Sequence, residues 1–345
     1  MPKTKIGIIG ATGFTGSELV RILTHHPETE ISLITSESRA GEKFSDVHPH
    51  FAGIADHTLD SVENIDKYDP ELLFLALPHG VSMDYVKRFE GKGYKIVDLS
   101  GDFRLDSPAT YTEWYKKEHT YPEGFADAVY GIPELNAERI KDASLVANPG
   151  CYPTSAILGL APLASEKSIE PGLVIIDSKS GITGAGIKAK PVNHFSQVND
   201  NFKAYGIKTH RHAIEIQSTL STLGEQPLAV QFTPHLLPVD RGILSTIYVR
   251  PTGEMSEEKV QDLYRSFYAD KPFVRFRESA PAIKDVRGTN YCDIWCTYDE
   301  RTGNIMIVSV IDNLMKGAAG QAVQNMNLMC GWDEAAGLNQ IPIHP

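Results

Sequence analysis

The chain has 345 residues, too many for a typical single hydrophobic core, so we expect two domains. Its formal net charge of -11 argues against a general nucleic-acid binder, whose surface is basic, but leaves room for a local cationic pocket for an anionic substrate. No apolar run approaches membrane-spanning length. The first residues do not resemble a signal peptide, and the four cysteines are few and scattered. Both features favour the reducing cytoplasm.

The first part of the chain has the pattern of a doubly wound α/β domain. A buried-type strand at 5–9 leads into a glycine-rich turn, which a helical pattern at 17–23 and a second strand at 31–35 follow. This is a βαβ unit. Three more strands and one helix are predicted here: strands at 72–76, 95–98 and 145–147, and a helix at 81–89. We therefore predict a Rossmann-type parallel sheet in a dinucleotide-binding domain over 1–150.

The second part of the chain is richer in strands. They are predicted at 173–177, 242–249, 291–298 and 305–310, with an amphipathic helix at 256–268 that Ser256 caps. We predict an α+β catalytic and oligomerisation domain over 151–314, with a mixed or antiparallel sheet. A C-terminal helix of about 315–345, whose clearest part lies near 317–329, is expected to pack back onto the first domain.

The glycine-rich turn reads Gly-Ala-Thr-Gly-Phe-Thr-Gly and matches G-x-x-G-x-x-G. Glycines let the backbone approach a pyrophosphate, and the following helix N-terminus supplies N–H groups and positive potential. Such a turn is a weak signal alone, but here a strand precedes it and a helix follows it. The predicted cofactor contacts in this turn are Gly10, Thr12, Gly13, Phe14, Thr15 and Gly16.

The residues after the second strand bear on the choice of nicotinamide cofactor. An acidic residue there binds the ribose diol of NAD, and Glu37 would suit that role. Ser36, Ser38 and Arg39 instead suit a 2′-phosphate, which Arg39 would contact in a bidentate manner, unless it is only a solvated loop charge. On balance we predict NADP(H).

Cys151 follows the predicted strand 145–147 and the turn Asn148-Pro149-Gly150. Pro153 and the apolar residues after it indicate that a helix begins here. A cysteine at a helix N-terminus favours the thiolate, which is the nucleophilic form. A buried structural cysteine is the alternative.

The second group of polar residues is Thr-His-Arg-His-Ala-Ile-Glu, residues 209–215. A histidine near neutral pKa can accept a proton from an attacking thiol and return it, so either His210 or His212 is a candidate acid/base. Arg211 is a candidate for anion binding and disfavours a metal between the histidines. Glu215 suits a capping or dipole-directed position.

Further polar residues follow predicted strands, where ligands bind in open α/β sheets. Arg104 and His79 lie at such ends, although Asp102 would equally suit Arg104 as a salt-bridge partner. Residues 179–186, Lys-Ser-Gly-Ile-Thr-Gly-Ala-Gly, are predicted to cradle an oxyanion or to cover the nicotinamide.

Taken together, these motifs resemble those of the N-acetyl-gamma-glutamyl-phosphate reductase family, within the aspartate-semialdehyde dehydrogenase-like superfamily. The cysteine elbow combined with His-Arg-His-x-x-Glu is specific, whereas either motif alone would fit aspartate-semialdehyde dehydrogenases. The resemblance spans nearly the whole chain and is carried by residues 10–16, 98–105, 148–154, 179–186, 210–216 and 310–325.

The resemblance implies NADPH-dependent reduction of N-acetyl-L-glutamyl 5-phosphate to the 5-semialdehyde with release of phosphate, the third step of arginine biosynthesis. Cys151 would form a thioester, and His212, with His210 as the second choice, would move the proton. The remaining implied contacts are Ser180, Gly181 and Asn313 with the cofactor, and Arg104, Arg211, Asn148 and Glu215 with the substrate. The implied partners are a small acyl phosphate and phosphate, with a homodimer or homotetramer as the assembly and no nucleic acid, membrane or metal.

Two alternatives stay open at this point. A related reductase could act on an aminoadipyl or aspartyl phosphate, although His210-Arg211-His212 disfavours the aspartyl substrate. A non-catalytic NADP-binding regulator could keep the fold, although Cys151 and His212 argue against it.

Overall fold

The structure is a computed structural model that describes residues 2–344. It divides into two compact units. The first comprises the described residues up to Pro149 together with Ala318–Asn339, and the second comprises Gly150–Gly317 together with the described residues from Gln340 onward.

The described part of the chain contains thirteen strands: β1 (Thr4–Ile9), β2 (Thr29–Thr35), β3 (Leu72–Leu75), β4 (Lys95–Asp98), β5 (Ala128–Tyr130), β6 (Leu145–Ala147), β7 (Leu173–Gly181), β8 (Lys203–Ala204), β9 (Ala229–Leu237), β10 (Ile243–Val249), β11 (Val274–Phe276), β12 (Cys292–Asp299) and β13 (Asn304–Ile311). Ten α-helices lie in the same residues: α1 (Phe14–Leu23), α2 (Phe44–Val47), α3 (Ser82–Phe89), α4 (Pro108–Tyr115), α5 (Pro133–Lys141), α6 (Cys151–Ser165), α7 (Phe195–Val198), α8 (His212–Leu223), α9 (Glu257–Phe267) and α10 (Gly320–Met329).

The first unit contains a six-stranded parallel sheet in the order β2-β1-β3-β4-β6-β5. Its central strands are continuous apolar runs because both faces of the sheet are covered. The chain leaves β1 toward β2 on one side and continues at β3 on the other. This reversal places the glycine-rich turn at the topological switch point, and it confirms the predicted doubly wound sheet.

The second unit contains a seven-stranded mixed sheet in the order β11-β12-β13-β10-β7-β9-β8. The pairs β11–β12 and β7–β9 are parallel and the other neighbours are antiparallel. Helix α6 packs against β10 and β13, and α8 packs against α6. The predicted mixed α+β sheet is confirmed.

The C-terminal segment differs from its prediction. A π-helical turn at Met315–Ala319 leads into α10, which ends at Met329. The predicted helical stretch to about 345 is therefore wrong beyond Met329. Gly331 has a left-handed φ of +71°, a conformation that ends helices. Within residues 2–344, no helix combines the length and apolar character needed to cross a bilayer.

Candidate active site and dinucleotide site

The glycine-rich turn between β1 and α1 needs its glycines. Gly10 has φ +90°, and a Cβ there would stand 2.6 Å from the carbonyl oxygen of Ala76. A Cβ on Gly16 would stand 2.6 Å from the Cα of Ala11. Gly13 is the N-cap of α1, has no side-chain cap and faces open space. The first amides of this ten-residue helix are thus free of side-chain caps, as a pyrophosphate site requires.

In a typical NAD site the acidic residue after the second strand binds the ribose diol, whereas here the acidic residue after β2 has partners within the protein. The Glu37 carboxylate accepts hydrogen bonds from the Ser61 hydroxyl and the Val62 amide, both at 3.2 Å. It therefore binds the first amide of the 3-10 helix Val62–Lys67, whose N-cap is Ser61. Ser38 and Arg39 are exposed, and Arg39 pairs with Glu42 at 2.9 Å. An exposed ion pair of this kind contributes little to stability, so Arg39 can leave Glu42 and bind another anion.

Three further contact residues predicted from the glycine-rich turn lie beside it. Thr12, Phe14 and Thr15 are half-buried, and Phe14 and Thr15 open α1. The Thr12 hydroxyl lies 3.4 Å from that of the buried Ser36. The predicted dinucleotide contacts up to Arg39 therefore cluster at one end of the parallel sheet.

Arg104 and Asn148, predicted to bind substrate, have internal partners in the first unit. Arg104 donates to the carbonyls of Asn148 (2.7 Å) and Leu99 (2.8 Å). The Asn148 side chain is buried, donates to the Ala318 carbonyl at 3.2 Å and accepts from Asn325 at 3.0 Å. These bonds hold the chain just before the cysteine elbow, and direct substrate contact stays a prediction for both residues.

Asp102 and His79 also have structural partners. The buried Asp102 carboxylate accepts from the Gly80 amide (2.7 Å), the Met83 amide (3.1 Å) and the Tyr111 hydroxyl (3.0 Å). His79 Nδ1 accepts from the Gly101 amide at 2.8 Å. Both side chains therefore fix the loops that follow β3 and β4.

Cys151 is the first residue of α6, as predicted. Its N-cap, Gly150, has extended backbone angles and no side-chain cap, and Cys151 itself is half-buried. On the other side of the cysteine, a Cβ on Gly317 would stand 2.8 Å from the Cys151 Cβ. The thiol thus sits at the end of a 15-residue helix, where the backbone of the π-helical turn packs closely against it.

His212 and Glu215 both reach the residue before the cysteine. A Cβ on Gly150 would stand 2.5 Å from His212 Nε2, so the imidazole lies directly against the Gly150 backbone. The Glu215 carboxylate is buried and accepts from the Gly150 amide at 2.8 Å. Both side chains come from the first turn of α8, which joins this helix to the start of α6. Glu215 was predicted to bind substrate, whereas in the structure its carboxylate positions Gly150.

His210 lies in an aromatic pocket behind His212. Its ring centroid is 5.6 Å from Tyr152, 5.5 Å from Tyr205 and 4.7 Å from His212. Burial, helped by the neighbouring Arg211 charge, lowers the pKa of His210 to about 4. His210 is therefore neutral near pH 7, and its Nδ1 accepts from the His212 amide at 3.2 Å.

The cofactor residues predicted in the second unit support a turn. The Ser180 hydroxyl donates to the Gly181 carbonyl at 3.0 Å. The buried Asn313 amide accepts from the Gly242 amide (2.8 Å) and donates to the Thr183 hydroxyl (2.9 Å). These contacts hold the segment after β7, and a nicotinamide contact stays a prediction for all three predicted residues.

Sequence reasoning missed three residues of this site. Tyr152 and Tyr205 join their hydroxyls at 3.1 Å beside His210, and Gly317 packs on Cys151. Tyr152 was visible as the neighbour of the nucleophile, whereas Tyr205 and Gly317 lie far away along the chain. Among residues 2–344, no group of three His, Cys, Asp or Glu side chains is placed to hold a metal ion.

Two family models match this chain. The model described as semialdehyde dehydrogenase, NAD binding domain, covers residues 5–143, and the one described as semialdehyde dehydrogenase, dimerisation domain, covers residues 151–313.

Curated relatives match almost end to end. An N-acetyl-gamma-glutamyl-phosphate reductase of Pelotomaculum thermopropionicum is 49% identical over 344 residues, covering 99% of each chain. That of Bacillus subtilis is 48% identical over 344 residues, covering 99% of this chain and 100% of the relative. This chain belongs to the N-acetyl-gamma-glutamyl-phosphate reductase family. The resemblance carried by the motifs is confirmed.

Solved structures agree with the fold. Aspartate semialdehyde dehydrogenase II of Vibrio cholerae has a TM-score of 0.74 at 17% identity, covering 96% of this chain and 99% of that one. Aspartate semialdehyde dehydrogenase with NADP from Candida albicans has a TM-score of 0.71 at 18% identity, covering 95% and 98%. At these identities the likeness shows the fold alone.

Proposed function

We propose that this chain reduces N-acetyl-L-glutamyl 5-phosphate with NADPH to N-acetyl-L-glutamate 5-semialdehyde and phosphate, the third step of arginine biosynthesis. Membership of the family supports the substrate. The observation that carries the chemistry is Cys151 at the N-terminus of α6, with the His212 imidazole against the adjacent Gly150 backbone.

Cys151 is the nucleophile in this mechanism. Its sulfur attacks the acyl carbon, the bond from that carbon to the phosphate oxygen breaks, and a thioester forms on Cys151. The helix N-terminus stabilises the thiolate before attack. His212 receives the thiol proton and passes it to the departing phosphate.

His212 is the better choice for the acid/base. Its imidazole lies beside the residue that precedes the nucleophile, whereas the pKa of His210 is lowered to about 4 by burial and Arg211. A group that stays neutral near pH 7 cannot cycle its proton efficiently at that pH. His210 instead acts as a positioning residue, since its Nδ1 accepts from the His212 amide.

The glycine-rich turn of the first unit would hold the dinucleotide, and Ser36, Ser38 and Arg39 would bind its 2′-phosphate. Engagement of Glu37 with Ser61 and Val62 supports NADP(H) over NAD(H), because that carboxylate is turned to another helix. When bound, NADPH supplies the hydride that reduces the thioester carbonyl. The resulting tetrahedral anion on Cys151 re-forms its carbonyl as the C–S bond breaks, the aldehyde leaves, and the Cys151 thiolate regains a proton from solvent water through His212.

The substrate is an anion at both ends. Arg104 and Arg211 are the proposed partners for its carboxylate and phosphate groups, since guanidinium binds both in a bidentate manner. Asn148 and Glu215 act mainly by positioning the cysteine elbow, as their hydrogen bonds to Ala318, Asn325 and Gly150 suggest.

We further infer a homodimer or homotetramer. In the second unit, Leu173 is 54% exposed, Ile175 38% and Tyr248 36%, and Ile175 and Tyr248 are register partners on β7 and β10. This apolar sheet face suits a second copy. All four cysteines are free thiols, in keeping with the cytoplasm that we propose for this biosynthetic reaction.

The reverse reaction tests the proposal. N-acetyl-L-glutamate 5-semialdehyde, phosphate and NADP are supplied, and reduced-cofactor absorbance is followed. Aspartate semialdehyde, 2-aminoadipate semialdehyde, NAD and Cys151→Ala are run in parallel. We expect phosphate-dependent reduction of NADP with the N-acetylglutamate aldehyde and none with Cys151→Ala. If only another aldehyde is turned over, the substrate assignment is wrong and that aldehyde takes its place. Full activity of Cys151→Ala would refute the assignment of Cys151 as the nucleophile.

A further inference from the structure

His48 is a buried histidine that contacts the glycine-rich turn, although none of the sequence motifs includes it. It follows α2 in the connection between β2 and β3, and only 6% of its surface is exposed. Its Nε2 lies 3.2 Å from the Thr12 carbonyl oxygen. Because a carbonyl oxygen can only accept, Nε2 carries the hydrogen and His48 is the donor.

The position of this imidazole is set by packing. Its ring centroid lies 4.9 Å from Phe44 and 6.4 Å from Phe51, and both phenylalanines are buried. The His48 amide donates to the Phe44 carbonyl at 2.9 Å. Burial also lowers the pKa of His48. The hydrogen bond to the Thr12 carbonyl raises the pKa by a smaller amount, and the nearby His50 and Arg39 lower it slightly further. The ring is therefore a neutral donor near pH 7.

The turn is held at two places. At its start, the Gly10 amide donates to the Thr35 hydroxyl at 3.3 Å and the Ala11 amide donates to the Thr35 carbonyl at 3.0 Å. One residue further on, His48 holds the Thr12 carbonyl. In a trans peptide the carbonyl and the next N–H point in opposite directions. The bond from His48 therefore points the Gly13 N–H away from His48, and no atom lies within 4 Å of where a Cβ on Gly13 would stand.

We propose that His48 is a positioning residue for the dinucleotide: by holding the Thr12 carbonyl it presents the Gly13 N–H to the pyrophosphate of the cofactor. This inference rests on the proposed function. The pyrophosphate is common to both nicotinamide cofactors, so loss of the bond weakens NADPH and NADH by the same factor. Arg39, in contrast, would act on the 2′-phosphate alone.

Two substitutions separate the hydrogen bond from the packing. His48→Phe keeps an aromatic ring beside Phe44 and Phe51 but removes the donor, whereas His48→Gln removes the ring and keeps an N–H donor at similar reach. His50→Phe is the matched control, because His50 is exposed and also contacts the Phe51 ring, at 4.5 Å. Affinities for NADPH and NADH are measured by titration calorimetry on the full chain, with thermal unfolding and Cys151 alkylation by iodoacetamide as readouts independent of cofactor.

We expect His48→Phe to raise the Kd of both dinucleotides about fivefold to tenfold, the effect of losing one hydrogen bond. His48→Gln should return to within about twofold to threefold of the wild type, His50→Phe should match it, and alkylation should be unchanged. Unaltered binding by His48→Phe, equal weakening in Phe and Gln variants, or weakening of NADPH alone would each overturn the inference. If His48→Phe does not fold, His48→Leu takes its place under the same criteria.

The proposed function fails separately from this inference. A wild-type chain that binds neither dinucleotide would refute the cofactor assignment and the role of His48 with it. A wild-type chain that binds NADPH and turns over the aldehyde, beside an equally tight His48→Phe, would refute only the inference.

Discussion

At the scale of single residues, Gly150 decides how closely the acid/base approaches the nucleophile. Its φ of -68° is open to any residue, so its need for glycine lies in the missing Cβ. That Cβ would stand 2.5 Å from His212 Nε2. Glycine at this position therefore lets the His212 imidazole, at the start of α8, lie directly against the backbone at the start of α6.

Gly150→Ala should therefore damage catalysis more than folding. We expect kcat to fall at least about tenfold because His212 must rotate away, while the free energy of unfolding changes by about 1 kcal/mol or less. Steady-state kinetics and urea unfolding check this. The double variant with His212→Asn should be no slower than His212→Asn alone. Independent, multiplicative losses would show that Gly150 acts by another route.

His210 should make the stability of the fold depend on pH. Burial and Arg211 lower its pKa to about 4 in the folded state, below the ordinary value of 6.5 in the unfolded chain. Between these values the unfolded state binds more protons, so the free energy of unfolding rises with pH, and this stabilisation is lost as the pH falls from about 6.5 to about 4.

His210→Asn should flatten that dependence. Urea unfolding at several pH values between 4 and 7 measures the slope for the wild type and the variant. His194→Asn, at an exposed histidine, is the control and should leave the slope as it is. An unchanged slope in His210→Asn would contradict the lowered pKa.

At the scale of elements, a buried chain of hydroxyls seats α6 on its sheet. Ser155, one turn after Cys151, has its hydroxyl 3.0 Å from that of Ser245 and 3.2 Å from that of Ser309. Ser178 continues the chain to Ser245 at 2.7 Å. All four serines are buried, and they link the helix to β7, β10 and β13. Directional bonds of this kind set the position of the helix along the sheet, which apolar packing alone leaves loose.

Ser155→Ala should loosen this seat. We expect the free energy of unfolding to fall by about 1–3 kcal/mol, since buried partners lose a hydrogen bond, and kcat to fall severalfold because Cys151 lies one turn away. Chemical unfolding and kinetics measure both. Ser165→Ala, at the half-buried far end of the same helix, is the control. Equal effects of the two substitutions would argue against a positioning role for Ser155.

At the scale of the whole molecule, the open face of the second sheet bears on assembly. Ile175 and Tyr248 lie side by side on it with Leu173 nearby, all exposed in the single chain. Because monomeric proteins rarely leave contiguous apolar patches uncovered, this face is where we expect a second copy.

Ile175→Asp should shift the assembly toward the monomer. A buried unpaired carboxylate opposes association, and sedimentation velocity measures the outcome. Ile54→Asp is the control, since Ile54 is 60% exposed on the first unit. A wild-type chain that sediments as a monomer, or an Ile175→Asp variant that associates as well as Ile54→Asp, would contradict the assigned face.

The amino-acid sequence by itself determined the elements with strong local signals. Apolar runs and the turn at Gly10–Gly16 predicted the parallel sheet, and Ser256 correctly marked the start of α9, where its side chain accepts from the Lys259 amide. The elbow at Cys151 was also predictable, because Pro149-Gly150 and Pro153 constrain the backbone locally. Hydrophobic periodicity and backbone stereochemistry depend on residues close together along the chain, so they can be recognised in the amino-acid sequence alone.

Only the tertiary structure decided which side chains meet. The sequence placed Glu37 where an NAD ligand would stand, but the fold turns its carboxylate to Val62. It ranked His212 only slightly ahead of His210 as the acid/base, and burial separated the two by lowering the pKa of His210. It said nothing of His48, which reaches Thr12 from 36 positions away. Burial, pKa and contact depend on neighbours that are distant along the chain, and those neighbours exist only once it has folded.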